Sequence, residues 1–234
     1  MKIKPSKIIL IVAAIPLIFL AGRYGFTVVS IEEANQTVQD EAFDPVAYVE
    51  GIWDSQILPS FEENAVDLSS VFVEMEPDVD GTALKEDLTA VAEKYGLITL
   101  GEAHVYMVKG SGKVVAVNTE TSLGTAEVAL EGYDGPIKAM LYVGTRIPSD
   151  ESSVRDAVGF ITFGDFKEQT EYGKVASQIN KHVLENVLDV VDRDSLVGKT
   201  ISFQGAFTIR TFNLPQIDIS EILIVPVQID LGGN

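Results

Sequence analysis

Apolar and polar positions follow different rules in the first thirty residues and in the rest of the chain. Residues 8–22 (IILIVAAIPLIFLAG) run without a charge and without an amphipathic stripe, and Lys2, Lys4 and Lys7 precede them. A cationic start followed by an apolar run is the pattern of an export signal. Arg23 interrupts the run, but its long side chain can reach an interface, and Tyr24, Phe26, Val28 and Val29 carry the apolar character onward. Cleavage after Gly22 or Gly25 would place Leu20 or Arg23 where a signal peptidase wants a small residue. Residues 1–30 therefore read as an uncleaved signal anchor. Residues 8–29 are expected to form a single inner-membrane span, with the basic flank directing the body into the periplasm.

Beyond residue 30 the pattern becomes that of a globular domain. Ser30-Ile31-Glu32-Glu33 has the spacing of a capping box and opens a helix to about residue 41. Asp44-Pro45 opens a second helix, with Val46, Val49, Ile52 and Trp53 on one side. Pro59 breaks it, and 61–65, 68–75 and 84–95 read as short helices, with Gly96 as a stop. From His104 the period shortens. Residues 105–108, 114–117, 126–130 and 137–143 are β-rich runs, separated by Gly110-Ser111-Gly112 and by the turn residues of 132–136. Asp165 is expected to cap a long helix over about 166–191, with Val175, Ile179, Val183, Val187 and Val190 at helical spacing. Strands over 200–210 and 222–229 close the chain.

Three strands, a helix and two strands is the order of an OB-type barrel. The expected fold class is α+β: an N-terminal anchor helix, a helical first half, then an OB-like small β-barrel with one long inserted helix. The segments are 1–30 (anchor), 31–100 (helical) and 101–234 (barrel, with the helix at about 166–191).

Charge narrows the partners. The 234 residues carry a formal charge of −18, and all 35 acids lie from Glu32 onward, whereas four of the 17 bases precede it. Such a surface repels phosphate backbones, so nucleic acid is not an expected partner, and it repels anionic headgroups, so the body stands off the bilayer. With no cysteine in the chain, disulfides, thiolate metal sites and cysteine nucleophiles are excluded.

Candidate chemistry is sparse. Gly198-Lys199-Thr200 lacks the leading glycine of a phosphate loop, because Arg193 stands there, and a strand rather than a helix follows. Gly110-Ser111-Gly112-Lys113 fails in the same way at Met107 and reads as a hairpin turn. Glu76, Asp78 and Asp80, with Gly81 and Asp87, occupy positions 1, 3, 5, 6 and 12 of an EF-hand loop. They form a weak calcium candidate, against a capped acidic turn as the plain alternative. His104 and His182 share no metal-ligand spacing. Trp53-Asp54 and Phe163-Gly164-Asp165-Phe166, joined by Tyr172, combine aromatic faces with carboxylates, which suits the hydroxyls and C–H faces of a sugar-like solute.

Four stretches carry a family resemblance: GIWDSQILPSFEENAVDL (51–68), HVYMVKGSGKVVAVNT (104–119), DAVGFITFGDFKEQTEYGKVASQIN (156–180) and LVGKTISFQGAF (196–207). They resemble the DUF2291 family of predicted periplasmic lipoproteins in bacteria. The resemblance implies an exported protein and, from the gene neighbours common in the family, an accessory role beside sugar-type ABC importers. It carries no catalytic residues over. Family members commonly bear a lipid-accepting cysteine after the apolar run. Here Leu20-Ala21-Gly22 is followed by Arg23, so lipidation is not expected and the apolar helix is expected to hold the chain at the membrane.

The sequence therefore reads as a membrane-anchored periplasmic accessory or solute-binding protein without evident catalysis. Its expected partners are the inner membrane through residues 8–29, ABC importer components and a sugar-like solute. The alternatives are an exported hydrolase acting on a sugar-like substrate and a calcium-stabilised structural module; no other cofactor is expected.

Overall fold

The computed structural model describes residues 43–99 and 101–232, and from Asp44 onward they form one compact unit. The expected anchor (1–30) and the helix expected over 30–41 lie outside the described residues. The Asp44 carboxylate accepts from the amides of Val46 (2.9 Å) and Ala47 (3.2 Å), satisfying two of the free donors at the start of helix α1 (Pro45–Ile52). The chain continues through a widened turn, Trp53–Ile57, into α2 (Leu58–Asn64), whose first turn accommodates Pro59. Asp67 ends the short strand β1 (Val66–Asp67) and caps α3 (Leu68–Glu74) through the Ser70 amide at 2.8 Å. Strand β2 (Thr82–Leu84), helix α4 (Lys85–Tyr95) and strand β3 (Gly96–Ile98) complete this half.

The second half is built on β4 (Ala103–Asn118), which pairs on both edges. One edge lies against β7 (Thr200–Arg210) from Ala103 to Lys113. The other is shared in turn by β3 at His104–Tyr106, β1 at Val108 and Lys109, and β5 (Thr125–Leu130) from Gly112 onward. Strand β5 pairs with β6 (Lys138–Tyr142), β6 runs parallel to β9 (Glu221–Leu231), and β9 pairs with β7. The path β4–β5–β6–β9–β7 thus returns to β4. Strand β8 (Gln216–Asp218) pairs with β2 in a separate ladder.

Gly110-Ser111-Gly112 is not the expected hairpin turn: all three residues are paired to β7 inside β4. The glycine serves close approach instead. A Cβ on Gly112 would stand 2.2 Å from the Ala129 carbonyl oxygen, at the point where β4 passes from its first neighbours to β5.

Helix α5 (Ser153–Ala157) packs on β4, β7 and β9, and α6 (Gln169–Val183) packs on α1. The expected helix over 166–191 is shorter at both ends. Asp165 does not cap it: its carboxylate takes the Thr162 amide (2.8 Å) and hydroxyl (2.9 Å), and so caps a single tight turn, Phe163–Asp165. Glu168 and Glu171 form the capping box that starts α6. After Val183 the helix widens over Leu184–Leu188 and stops. Val175, Ile179 and Val183 are buried as their spacing requires, while Val190, past the end, is 76% exposed.

The core joins both halves. Tyr106 of β4 stacks on Phe207 of β7 (4.7 Å between centroids, 15° apart), and Phe72 of α3 meets Phe207 edge-on at 6.4 Å. Leu88 of α4 belongs to the same cluster as Leu141 and Ile224 of the sheet. Helices α3 and α4 of the first half therefore share the core of the sheet, while α1 packs on α6.

Candidate functional site

Alternation along β4, β7 and β9 turns Val108, Ile201 and Phe203 into the core and leaves a polar row on the opposite face. The row has two rungs. In the first, Gln204 stands directly opposite Lys109 on one side and Gln228 on the other. In the second, Ser202 stands opposite Ser111 and Asp230. Asp67 of β1 is in register with Lys109 and extends the first rung. Together with Gly110 and Phe203, these residues line a groove of about 320 Å³.

Several of the groove's polar atoms are committed. Gln228 Nε2 donates to Asp230 Oδ2 (3.1 Å), and Ser111 Oγ donates to Glu131 Oε2 (2.7 Å) at the rim. Burial pushes the Asp67 carboxyl up. Donation from Ser69, from the amide and hydroxyl of Ser70, and the charge of Lys109 outweigh it, so the carboxyl sits below its ordinary range and stays ionised. Gln204 Oε1 differs: it is buried and has no hydrogen-bond partner among the described residues. A buried carbonyl oxygen without a donor is costly, and its residue lines a groove large enough for a small ligand.

The residues expected from sequence are divided between two places. Trp53 is buried, with its ring 4.1 Å from that of His182 on α6, while Asp54 beside it is exposed. Phe163, Phe166 and Tyr172 do come together: Tyr172 lies 5.7 Å from each of the other two rings, and Tyr48 of α1 meets Phe166 at 5.6 Å. One face of Tyr172 is already covered by the Arg155 guanidinium, 3.6 Å from the ring centroid. Its hydroxyl donates to Asp156 (3.1 Å), which also receives Arg155 Nε (2.8 Å). Burial, then the Asp156 charge, pushes the Tyr172 phenol up. This cluster fastens the start of α6 to α1 and α5, and Phe163, 56% exposed, keeps the most open ring.

The calcium candidates are not gathered. Asp78 Oδ1 accepts the amides of Asp80 (3.0 Å) and Thr82 (2.8 Å), which folds the loop on itself, and residues 82–84 enter β2 rather than staying in a loop. Asp87 sits in the first turn of α4. Among the described residues no group of three or more His, Cys, Asp or Glu side chains could hold a metal ion.

Sequence reasoning missed the groove residues because they come from four strands, spread from Asp67 to Asp230. On any one strand a polar residue at every second position is what a solvated face also gives. The one local signal was Ser202–Gln204 and Gln228–Asp230 repeating polar positions inside otherwise apolar strands.

No curated protein matches the chain. Among solved structures, an OB-fold protein from Thermotoga maritima is similar over 82% of this chain and 99% of its own, at 19% identity and a TM-score of 0.61. That likeness concerns the fold alone, and it agrees with the mixed α+β architecture described above. A family model described as predicted periplasmic lipoprotein (DUF2291) matches residues 16–230. The description overturns the expectation of a single inner-membrane span by a non-lipidated chain, because a lipoprotein is held by acyl chains rather than by a spanning helix. Among the described residues no helix is long and apolar enough to cross a membrane, and residues 8–29, on which the expected span rested, lie outside them. With nearly the whole sequence matched, and all four resembling stretches inside the match, the chain belongs to the DUF2291 family.

Proposed function

We propose that the protein is a non-enzymatic periplasmic binding protein whose groove on β4, β7 and β9 takes a small polyhydroxylated solute, in an accessory role to sugar-type import. The observation that carries the reading is the buried Oε1 of Gln204, the middle residue of the first polar rung, which has no hydrogen-bond partner among the described residues. A ligand hydroxyl both donates and accepts, so one kind of group answers every demand of the groove: donation to Gln204 Oε1, Asp67 and Asp230, and acceptance from Lys109. The volume, near the lower end of small-molecule sites, favours a solute of monosaccharide size. The importer association rests on what the family resemblance implies, namely that members are often encoded beside such systems.

Thermal-shift measurement on the full chain against a panel of monosaccharides and polyols tests the proposal. A ligand at about one hundred times its Kd is expected to stabilise the fold by about 2.7 kcal/mol. Gln204→Leu, which preserves shape and removes the acceptor, is expected to abolish the shift for the binding sugar. A panel that shifts neither protein, or shifts both equally, refutes the assignment.

A further inference from the structure

A second feature of the same sheet lies where two strands that begin as neighbours part. The β7–β9 ladder runs from Ile201↔Leu231 to Ala206↔Val225 and stops there. The register slips between Gln204 and Gly205, and Pro226, which has no amide hydrogen to give, lies opposite Gly205. Beyond that point, residues 207–210 of β7 keep only β4 as a ladder partner, and residues 221–224 of β9 keep only β6. Two strand edges therefore face each other across a cleft of about 410 Å³. Strand β8, in the connecting loop, does not pair with either edge, because its ladder is with β2. Isoleucines 209, 217, 219 and 222 at the cleft are buried in the core, and Leu214 (49%) and Leu223 (42%) are its exposed apolar side chains. Glu151, Asp218 and Glu221 also line it, against Arg210 as the one base of the lining.

We propose that this cleft binds an extended, basic polypeptide segment by strand addition. Facing edges offer main-chain donors and acceptors, and one inserted strand can use both. Because β7 and β9 are antiparallel to each other, the incoming strand runs antiparallel to one and parallel to the other. Its side chains alternate: one set rests on Leu214 and Leu223, and the other is drawn to the three carboxylates. The acidity of the whole chain, −18, acts in the same direction at longer range. The site is separate from the sugar groove, which lies at the paired end of β7 and β9, so the two proposals stand or fall independently.

The test uses the full chain and three fluorescein-labelled hexapeptides: alternating Lys-Val, alternating Glu-Val, and the Lys-Val peptide N-methylated at every second residue. Fluorescence anisotropy is expected to show the Lys-Val peptide binding at least about ten-fold more tightly than either other. Hydrogen exchange is expected to slow in residues 207–210 and 221–224 when it is bound. The Asp218→Lys/Glu221→Lys double variant changes two exposed side chains and is expected to weaken binding by about ten-fold or more. Gln204→Leu, in the other groove, is expected to bind the peptide as the parent does. Equal binding of the N-methylated peptide, absence of protection in both segments, or preference for a single-stranded oligonucleotide over the Lys-Val peptide would overturn the proposal.

Discussion

Gln204 and His104 each bury a polar atom without a partner among the described residues, Oε1 and Nδ1, but only Gln204 belongs to a groove lining. Gln204 lines the groove, so a turn of its side-chain amide would bring the oxygen within reach of a ligand donor. Without ligand the oxygen is a cost, and Gln204→Leu is expected to raise the unfolding free energy by about 1 kcal/mol in urea titration while destroying binding. His104 is 1% exposed and has no such route to solvent. Burial, then the nearby Lys85 charge, pushes its imidazole down from the ordinary 6.5, with Glu102 opposing. The folded chain therefore resists the proton that the unfolded chain takes up near pH 6.5, so the stability is intact above that value and is lost as the pH falls through the lower folded value. His182, stacked on Trp53, is displaced in the same direction by burial and opposed by Asp54, Glu50 and Glu185. Calorimetry from pH 7.5 to 5 is expected to show a falling melting temperature. His104→Leu is expected to flatten the fall without removing it, because His182 remains.

At the scale of elements, the ends and crossings decide more than the interiors. Asp44 is exposed yet holds two amides of α1, so Asp44→Ala is expected to cost about 1 kcal/mol, read as a lower urea midpoint. Gly112→Ala is expected to cost about 3 kcal/mol or more in the same measurement, since the added carbon meets the Ala129 backbone and neither strand can yield without breaking its ladder. Gly112 also marks where sequence reading failed. Glycines mark turns and close approaches alike, and only the pairing of Ser111 with Ser202 tells them apart. Asp165 misled for a related reason: several side chains near the start of α6 can cap, and Thr162 claimed Asp165 before the helix began. Strands β7 and β9 and helices α1 to α4 were legible because apolar spacing or a cap signals each of them. Strands β1, β2, β3 and β8 were not, since two or three residues hold no period. The aromatic cluster of Phe163, Phe166 and Tyr172 was legible as a grouping. That Arg155 covers Tyr172 was not, because the guanidinium arrives from a separate helix.

At the scale of the whole molecule, the question is whether the helical half and the strand circuit can unfold separately. Leu88 of α4 and Tyr106 of β4 bind the two halves: both are fully buried in one cluster, and the tyrosine hydroxyl donates to the Leu88 carbonyl at 3.4 Å. Burial pushes that phenol up, so it stays protonated and keeps donating through ordinary pH. Trp53 offers a reporter, since its ring lies between the first half and His182 of α6 and the sequence contains no other tryptophan. Leu88→Ala removes a side chain from the shared cluster and is expected to cost about 2–5 kcal/mol, the spread reflecting how far the surrounding helices and strands can close on the cavity. If one core governs both halves, Trp53 fluorescence and far-ultraviolet circular dichroism follow a single urea transition in the parent, and Leu88→Ala lowers both midpoints together. Separate cores would instead leave the sheet signal near its parent midpoint while the tryptophan signal moved. The pairing of β1 and β3 to β4 makes that outcome physically costly, because unfolding the first half alone would strip the second edge of β4 from His104 to Lys109 and expose Tyr106 and Val108 to water.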